Sequence, residues 1–206
     1  MRKADFKKNH YEFDSIVHWY ADFIYRLVRA KAIVKTKAEK EEVVEALCLK
    51  VTAMWERLVE ADLMVSLNRD PSRYADALGL SLRKNLSWDE IEAILIGHKY
   101  LDFRSVQDIR SFAREYLVPR YDPFKVITRQ MAKRIDEFMT IRNLIAHESA
   151  YAWRKYERMM HQKYGYRRIP SPGAFLIAVK RGNKFYWGDY LLNFLTCSEV
   201  MLKAVT

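Results

Sequence analysis

The chain has 206 residues, half of them hydrophobic, with only six glycines and five prolines and a formal net charge of +10. That length suits one domain with a real core, and the scarcity of breakers argues for helices against a sandwich or barrel. Thirteen tyrosines and ten phenylalanines argue against disorder, and the basic balance attracts polyanions such as RNA, DNA or an acidic membrane surface, though it equally suits a basic protein with no nucleic-acid role.

Residues 1–14 read as a basic N-terminal arm, ordered only if its aromatics dock. No apolar run follows the charges of Met1–Lys8, so no signal peptide is expected. No apolar stretch approaches the length of a membrane span, so a soluble cytoplasmic protein without membrane association is the expectation. Ser15 can cap a helix over 15–33, in which Ile16, Tyr20, Phe23, Ile24 and Leu27 recur at helical spacing. Residues 38–67 predict the longest helix, with Val44, Leu47, Cys48, Val51, Met54, Trp55, Leu58 and Val65 as its stripe, broken by Asn68-Arg69-Asp70-Pro71. Asp62 interrupts that stripe. It is either a surface residue at the stripe's edge or the partner of a buried cation. Cys48 belongs to the core. Neither Cys48 nor Cys197 lies in a C-x-x-C pair, so no zinc site, disulfide framework or cofactor is indicated.

Ser87 and Glu90 have the spacing of a capping box and start a helix to about Lys99; Ser105 opens another to about Val118. Asp122 as N-cap and Pro123 at the first helical position predict a long helix from 123 to about 163, ended by Gly165 and Pro170-Ser171-Pro172-Gly173. Ala174–Val179 is apolar and partly β-branched, Arg181-Gly182-Asn183-Lys184 is a turn signal, and Phe185-Tyr186-Trp187 follows. This predicts a small β-hairpin over 174–187, inserted before a last amphipathic helix over 189–204. The whole reads as a single domain over 1–206.

On the long helix, at 100° per residue, Ile127, Met131, Phe138, Ile141 and Ile145 gather on one side, which should face the core. Asn143 and His147, four residues apart, share the face pointing away, and Asp136, Thr140 and Arg154 extend that line with Tyr151 nearby. They are therefore solvated or held against another subunit. Arg142 sits on the flank of the apolar stripe, where it must snorkel to water or find a carboxylate, with Asp62 one candidate. Arg142 and His147 of one chain stand about 140° apart on an ideal helix. They meet at one substrate only if the helix deforms or two chains contribute, as in a dimer packing these helices across a two-fold axis. An exposed helical histidine is ordinarily a surface residue, and Arg-x-x-x-x-His strings arise by chance. The context here is a long helix, an adjacent Arg-Asn pair and a basic chain.

The run Ile141-Arg142-Asn143-Leu144-Ile145-Ala146-His147 resembles the signature of the HEPN superfamily: an arginine, commonly followed by asparagine, then a histidine four to six residues on. The resemblance covers roughly 123–155, and the hairpin and terminal helix after it are similar to the RiboL-PSP-HEPN subgroup. It implies an all-α, HEPN-like helical bundle with a small C-terminal β-hairpin after the motif helix. It implies a homodimer through the motif helices, and a metal-independent endoribonuclease leaving a cyclic phosphate, in the setting of a toxin or an antiviral defence effector. Carried over, Arg142 is the motif arginine, Asn143 the adjacent polar position and His147 the motif histidine. Some HEPN toxins carry a tyrosine two residues after the histidine that a nucleotidyltransferase antitoxin modifies. Ser149 stands there, and Tyr151 comes too late, which weakens that pairing without excluding another antitoxin or regulatory partner.

The residue types suit the chemistry. RNA supplies its own nucleophile, the 2′-OH. Imidazole titrates near neutrality and can take that proton or protonate the leaving oxygen. Arginine offers a permanent charge and a planar fork to the phosphoryl oxygens. DNA lacks the 2′-OH, so RNA alone is the expected substrate. Downstream, Tyr151, Arg154, Lys155 and Arg158 form either a phosphate-tracking, base-stacking surface or a solvated helix face; Trp153 and Tyr156 are expected to pack inward. The competing reading is a non-catalytic HEPN module that binds RNA or nucleotide or serves assembly. A helical DNA-binding protein would need a helix-turn-helix that the sequence does not offer.

Overall fold

Helix-forming residues dominate from Phe6 onward, and the computed structural model, which describes residues 5–29, 36–97, 103, 105–179 and 185–206, is all-α over them. The helices are α1 (Phe6–Arg29), α2 (Lys37–Arg69), α3 (Ser72–Leu78), α4 (Trp88–Gly97), α5 (Val106–Tyr116), α6 (Arg129–His147), α7 (Ala150–Tyr164), α8 (Pro172–Leu176) and α9 (Tyr186–Lys203). Two 3₁₀ turns, Pro119–Tyr121 and Phe124–Val126, precede α6. Among the described residues no helix is long and apolar enough to cross a membrane.

Several caps lie where the sequence puts them. The Ser87 N–H donates to Glu90 Oε2 at 2.6 Å and the Glu90 N–H to Ser87 Oγ at 3.2 Å, closing the capping box of α4. Ser105 Oγ accepts from Asp108 N at the start of α5. Other boundaries differ. The expected arm is helical from Phe6, because Phe6 and Phe13 are buried and dock the segment, so Ser15 lies inside α1 rather than capping it. Asp122 does cap, accepting the Phe124 N–H at 2.8 Å, but it caps a 3₁₀ turn; α6 begins at Arg129, where Thr128 Oγ1 accepts from Met131 N.

The predicted hairpin over 174–187 is not formed as strands. Ser171 accepts the Ala174 N–H and Pro172 takes the first helical turn, so Pro172–Leu176 is helical. Tyr186 and Trp187 open α9. What remains is an isolated antiparallel bridge between Val179 and Phe185. The turn residues Arg181–Lys184 lie outside the described residues.

The chain divides into two compact units, one with the described residues of Met1–Asp14, Trp55–Lys133 and Thr196–Thr206, the other with those of Ser15–Met54 and Arg134–Leu195. In the first, Phe6 packs on Val65 beside Leu202 and Val205, and Phe13 meets Trp55 edge-on. Asp62 is fully buried there, and its partner is His10: Asp62 Oδ2 lies 2.8 Å from His10 Nε2, and His10 Nδ1 lies 2.7 Å from Ser198 Oγ. The reading of Asp62 as the partner of a buried cationic side chain, with Arg142 as the candidate, thus gives way to a histidine contributed by the segment taken for an arm. Burial pushes the Asp62 carboxyl up, and the hydrogen bonds from His10 and Asn9 pull it back.

The second unit holds the motif. Its core is aromatic, with Phe138 of α6 packed among Trp187, Tyr190 and Phe194 of α9. Cys48 is buried in it, and burial holds that thiol in its neutral form. Two glutamates one turn apart on α2 grip α8. Glu41 Oε2 accepts from Ser171 Oγ at 2.6 Å, and Glu45 Oε1 accepts the Gly173 N–H at 2.7 Å. Only glycine fits at 173, since a Cβ there would lie 2.6 Å from the Glu41 carbonyl oxygen.

Candidate active site at the end of helix α6

Helix α6 buries Ile135, Phe138, Ile141 and Leu144, which is the amphipathic stripe expected of it, shifted so that Ile145 and Met131 are only half-buried at its edge. The same helix buries Glu137, a carboxylate that periodicity does not flag. It is an ion-pair partner of Lys163 and Arg134 and accepts from the Tyr164 hydroxyl at 3.2 Å. Tyr164 and Tyr190 share a hydrogen bond at 2.7 Å, and burial raises the pKa of both. This network ties α6 to α7 and α9, so α6 is held by charge-assisted bonds as well as by packing.

On this support the three motif residues end the helix. Asn143 and His147 are exposed, and they share a face one turn apart. Arg142 is half-buried on the flank, and its Nη1 donates to Asn143 Oδ1 at 3.0 Å. The long side chain thereby brings its charge round to the Asn143 side, closing part of the angle that separates Arg142 from His147. His147 is the last residue of α6.

The helix expected to continue to 163 breaks immediately after His147. Glu148 adopts φ +44°, in the left-handed region, while its N–H still donates to Leu144 O at 2.9 Å. Ser149 then caps α7 by accepting the Ala152 N–H at 3.2 Å. Ser149, where some HEPN toxins have a tyrosine, is thus a helix cap. Because of this elbow, the face extending from Asn143 through His147 to Arg154, drawn for one continuous helix, does not exist.

Helix α7 presents Tyr151, Arg154, Lys155 and Arg158 to solvent, with Lys155 Nζ 4.7 Å from the centre of the Tyr151 ring. Tyr156 packs inward as expected, its hydroxyl donating to the carbonyl oxygens of Pro170 and Ser171. Trp153 does not. It is 41% exposed and forms one wall of a surface cavity of about 570 Å³ inside the elbow. Leu144, Ile145, Ala150 and Pro172 supply the other apolar surface, and Glu45, Glu148, Ser149 and Arg154 the polar groups. The cavity is thus lined by residues on either side of His147 in sequence, a feature that only the break between α6 and α7 creates.

Among the described residues no group of three or more His, Cys, Asp or Glu side chains is arranged to hold a metal ion. No protein-family model, curated protein or solved structure matches the chain.

Proposed function

We propose that this chain is an endoribonuclease that uses the RNA 2′-OH as nucleophile, with His147 as proton-transfer group, Arg142 as the stabiliser of phosphoryl charge and Asn143 as the residue that orients them. The observation that carries the reading is the Arg142–Asn143 hydrogen bond, which turns a guanidinium from the core flank toward the exposed face that His147 shares. The likeness of residues 141–147 to the HEPN signature supports the same roles.

The reaction needs no group beyond these and the substrate. A neutral imidazole takes the 2′-OH proton, the oxygen attacks the adjacent phosphorus, and the 5′-oxygen leaves with a proton from an imidazolium, giving a 2′,3′-cyclic phosphate. Arg142 neutralises the equatorial oxygens as negative charge grows on them. One histidine per chain supplies one proton-transfer group, so the second comes from another copy. We therefore propose a homodimer through the α6 helices with a composite site. Exposed Arg154, Lys155 and Arg158 would follow the phosphates, and Tyr151 would stack on an unpaired base. Unchecked cleavage of this kind is harmful to a cell, so a toxin or antiviral-defence setting with an inhibitory partner belongs to the same proposal.

The test is cleavage of labelled single-stranded RNA in EDTA by wild type, Arg142→Ala and His147→Ala. Each substitution should cost roughly 10²- to 10⁴-fold. Mixing the two inactive variants adds a second readout. If each site takes its arginine from one chain and its histidine from the other, random re-pairing restores about a quarter of the activity, since half of the dimers hold one intact site. Absence of cleavage by wild type across several RNAs would favour the non-catalytic module. Cleavage without complementation would remove the composite site.

A further inference from the structure

We infer that the cavity inside the α6–α7 elbow is a guanine-binding subsite, which holds the base of a guanine nucleotide against Trp153 with its donor edge toward Glu45 and its phosphate toward Arg154. The inference rests on the ribonuclease reading for the cavity's role, which would be to choose the base next to the bond that is cut.

Size, shape and charge all bear on this. At about 570 Å³ the cavity falls within the range of small-molecule sites and has room for a purine nucleotide. Trp153, part-exposed beside Leu144 and Ile145, offers an aromatic wall of the kind on which bases stack. The one group that enters from α2 is a carboxylate, Glu45. It is fixed in place, because Oε1 already accepts the Gly173 N–H at 2.7 Å. A carboxylate accepts two parallel hydrogen bonds, and among the four RNA bases guanine alone presents two adjacent donors, N1–H and the 2-amino group. Adenine and cytosine pair a donor with an acceptor there, and uracil has a donor between two carbonyls.

A simple cation would also be drawn to Glu45 and Glu148 beside an indole. Arg154 on the same lining argues against it, since it repels a cation and attracts a phosphate. Opposite charges across one apolar cavity match a nucleotide, whose base donates and whose phosphate is negative. Glu148 adds the backbone observation. A left-handed non-glycine residue is a conformation that costs energy, and it stands where the chain must bend to open the cavity.

The experiment is calorimetric titration of the His147→Ala protein, which leaves RNA intact, with GMP, IMP, AMP, CMP and UMP. GMP should bind tightest, and IMP, which lacks the 2-amino donor, should bind roughly 10-fold more weakly. Glu45→Gln, which can still accept from Gly173, should abolish the difference between GMP and AMP, and Trp153→Ala should weaken all five. Equal affinities, or a preference untouched by Glu45→Gln, would overturn the subsite. Tighter binding of arginine amide than of GMP would reassign the cavity to a cationic side chain. A second arm compares an oligoadenylate with the same oligomer carrying one guanosine. The preference seen with GMP should reappear there, and its absence would make the site one for free nucleotide and overturn the role in choosing the cut. Because binding is read on a chain that cannot cleave, guanine preference without wild-type cleavage would remove the enzyme and keep the cavity. Cleavage by wild type with no base preference would do the reverse.

Discussion

Arg142 Nη1 donates to Asn143 Oδ1 at 3.0 Å, so two consecutive residues of one helix, about 100° apart on its wheel, are joined through their side chains. The bond fixes an otherwise mobile guanidinium on the His147 side. Replacing Asn143 with alanine removes this tether and leaves Arg142 and His147 in place. On the proposed mechanism, kcat/KM for RNA cleavage should fall roughly 10-fold, the size expected when one charge-assisted hydrogen bond is lost. Asn143 is exposed, so thermal stability should hardly change. Wild-type kcat/KM in Asn143→Ala would sink the tether.

Glu148 is the next point at which sequence and backbone disagree. A side chain at φ +44° crowds its own carbonyl, which glycine does not. Glu148→Gly should therefore raise stability by about 0.5–1 kcal/mol, and Glu148→Val, branched at Cβ, should lower it by at least as much. Denaturant midpoints of the two variants decide this. If glycine destabilises as much as valine, the elbow is not a strained left-handed turn.

Gly173 makes a different demand, one of space. An added methyl group would meet the main chain of Glu41, which has no side-chain freedom with which to retreat. Gly173→Ala should cost about 1–3 kcal/mol, in the range of overpacked cores. It should also displace the N–H that Glu45 accepts. A denaturant midpoint equal to that of wild type would show that α8 can shift away from α2 without loss.

Glu45 should leave a mark on the pH dependence of stability. Partial burial raises its pKa above the ordinary 4.5, the Gly173 N–H pulls it back, and Glu41, Glu42 and Glu148 push it further up. A carboxyl with a raised folded pKa binds its proton more tightly in the native state, so its stabilising contribution is fully present below the unfolded value and is lost as pH rises through the folded one. In the window just above pH 4.5 the stability of Glu45→Gln should fall less steeply with pH than that of wild type. Parallel curves for the two proteins would contradict this.

Much of the helical layout is readable from residue order. The caps at Ser87 and Ser105 and the stripe through Val44, Cys48, Val51 and Trp55 follow from spacing alone, because each depends on neighbours within two turns. The misreadings have physical causes. Ala174–Val179 is a short apolar run, and periodicity cannot tell a buried strand from a buried helical turn; the Ser171-Pro172 start signal and the glutamates of α2 decide for the helix. The break after His147 carries no glycine or proline, so nothing local announced it. His10 was hidden for another reason. Its partners Asp62 and Ser198 are 52 and 188 residues away, and pairing over such distances leaves no trace in local pattern. The motif residues were legible as a string, while the cavity beside them was not, since it exists only once the chain bends at 148.

That bend also separates two kinds of heredity. A continuous helix would lock the rotational phase of Tyr151, Arg154 and Arg158 to that of Arg142 and His147, and any insertion between the two groups would turn one about 100° against the other. With Glu148 left-handed and Ser149 starting a new helix, α7 sets its own phase. On the proposed reading, the residues that choose an RNA can then drift between descendants of this chain while those that cut it keep their register.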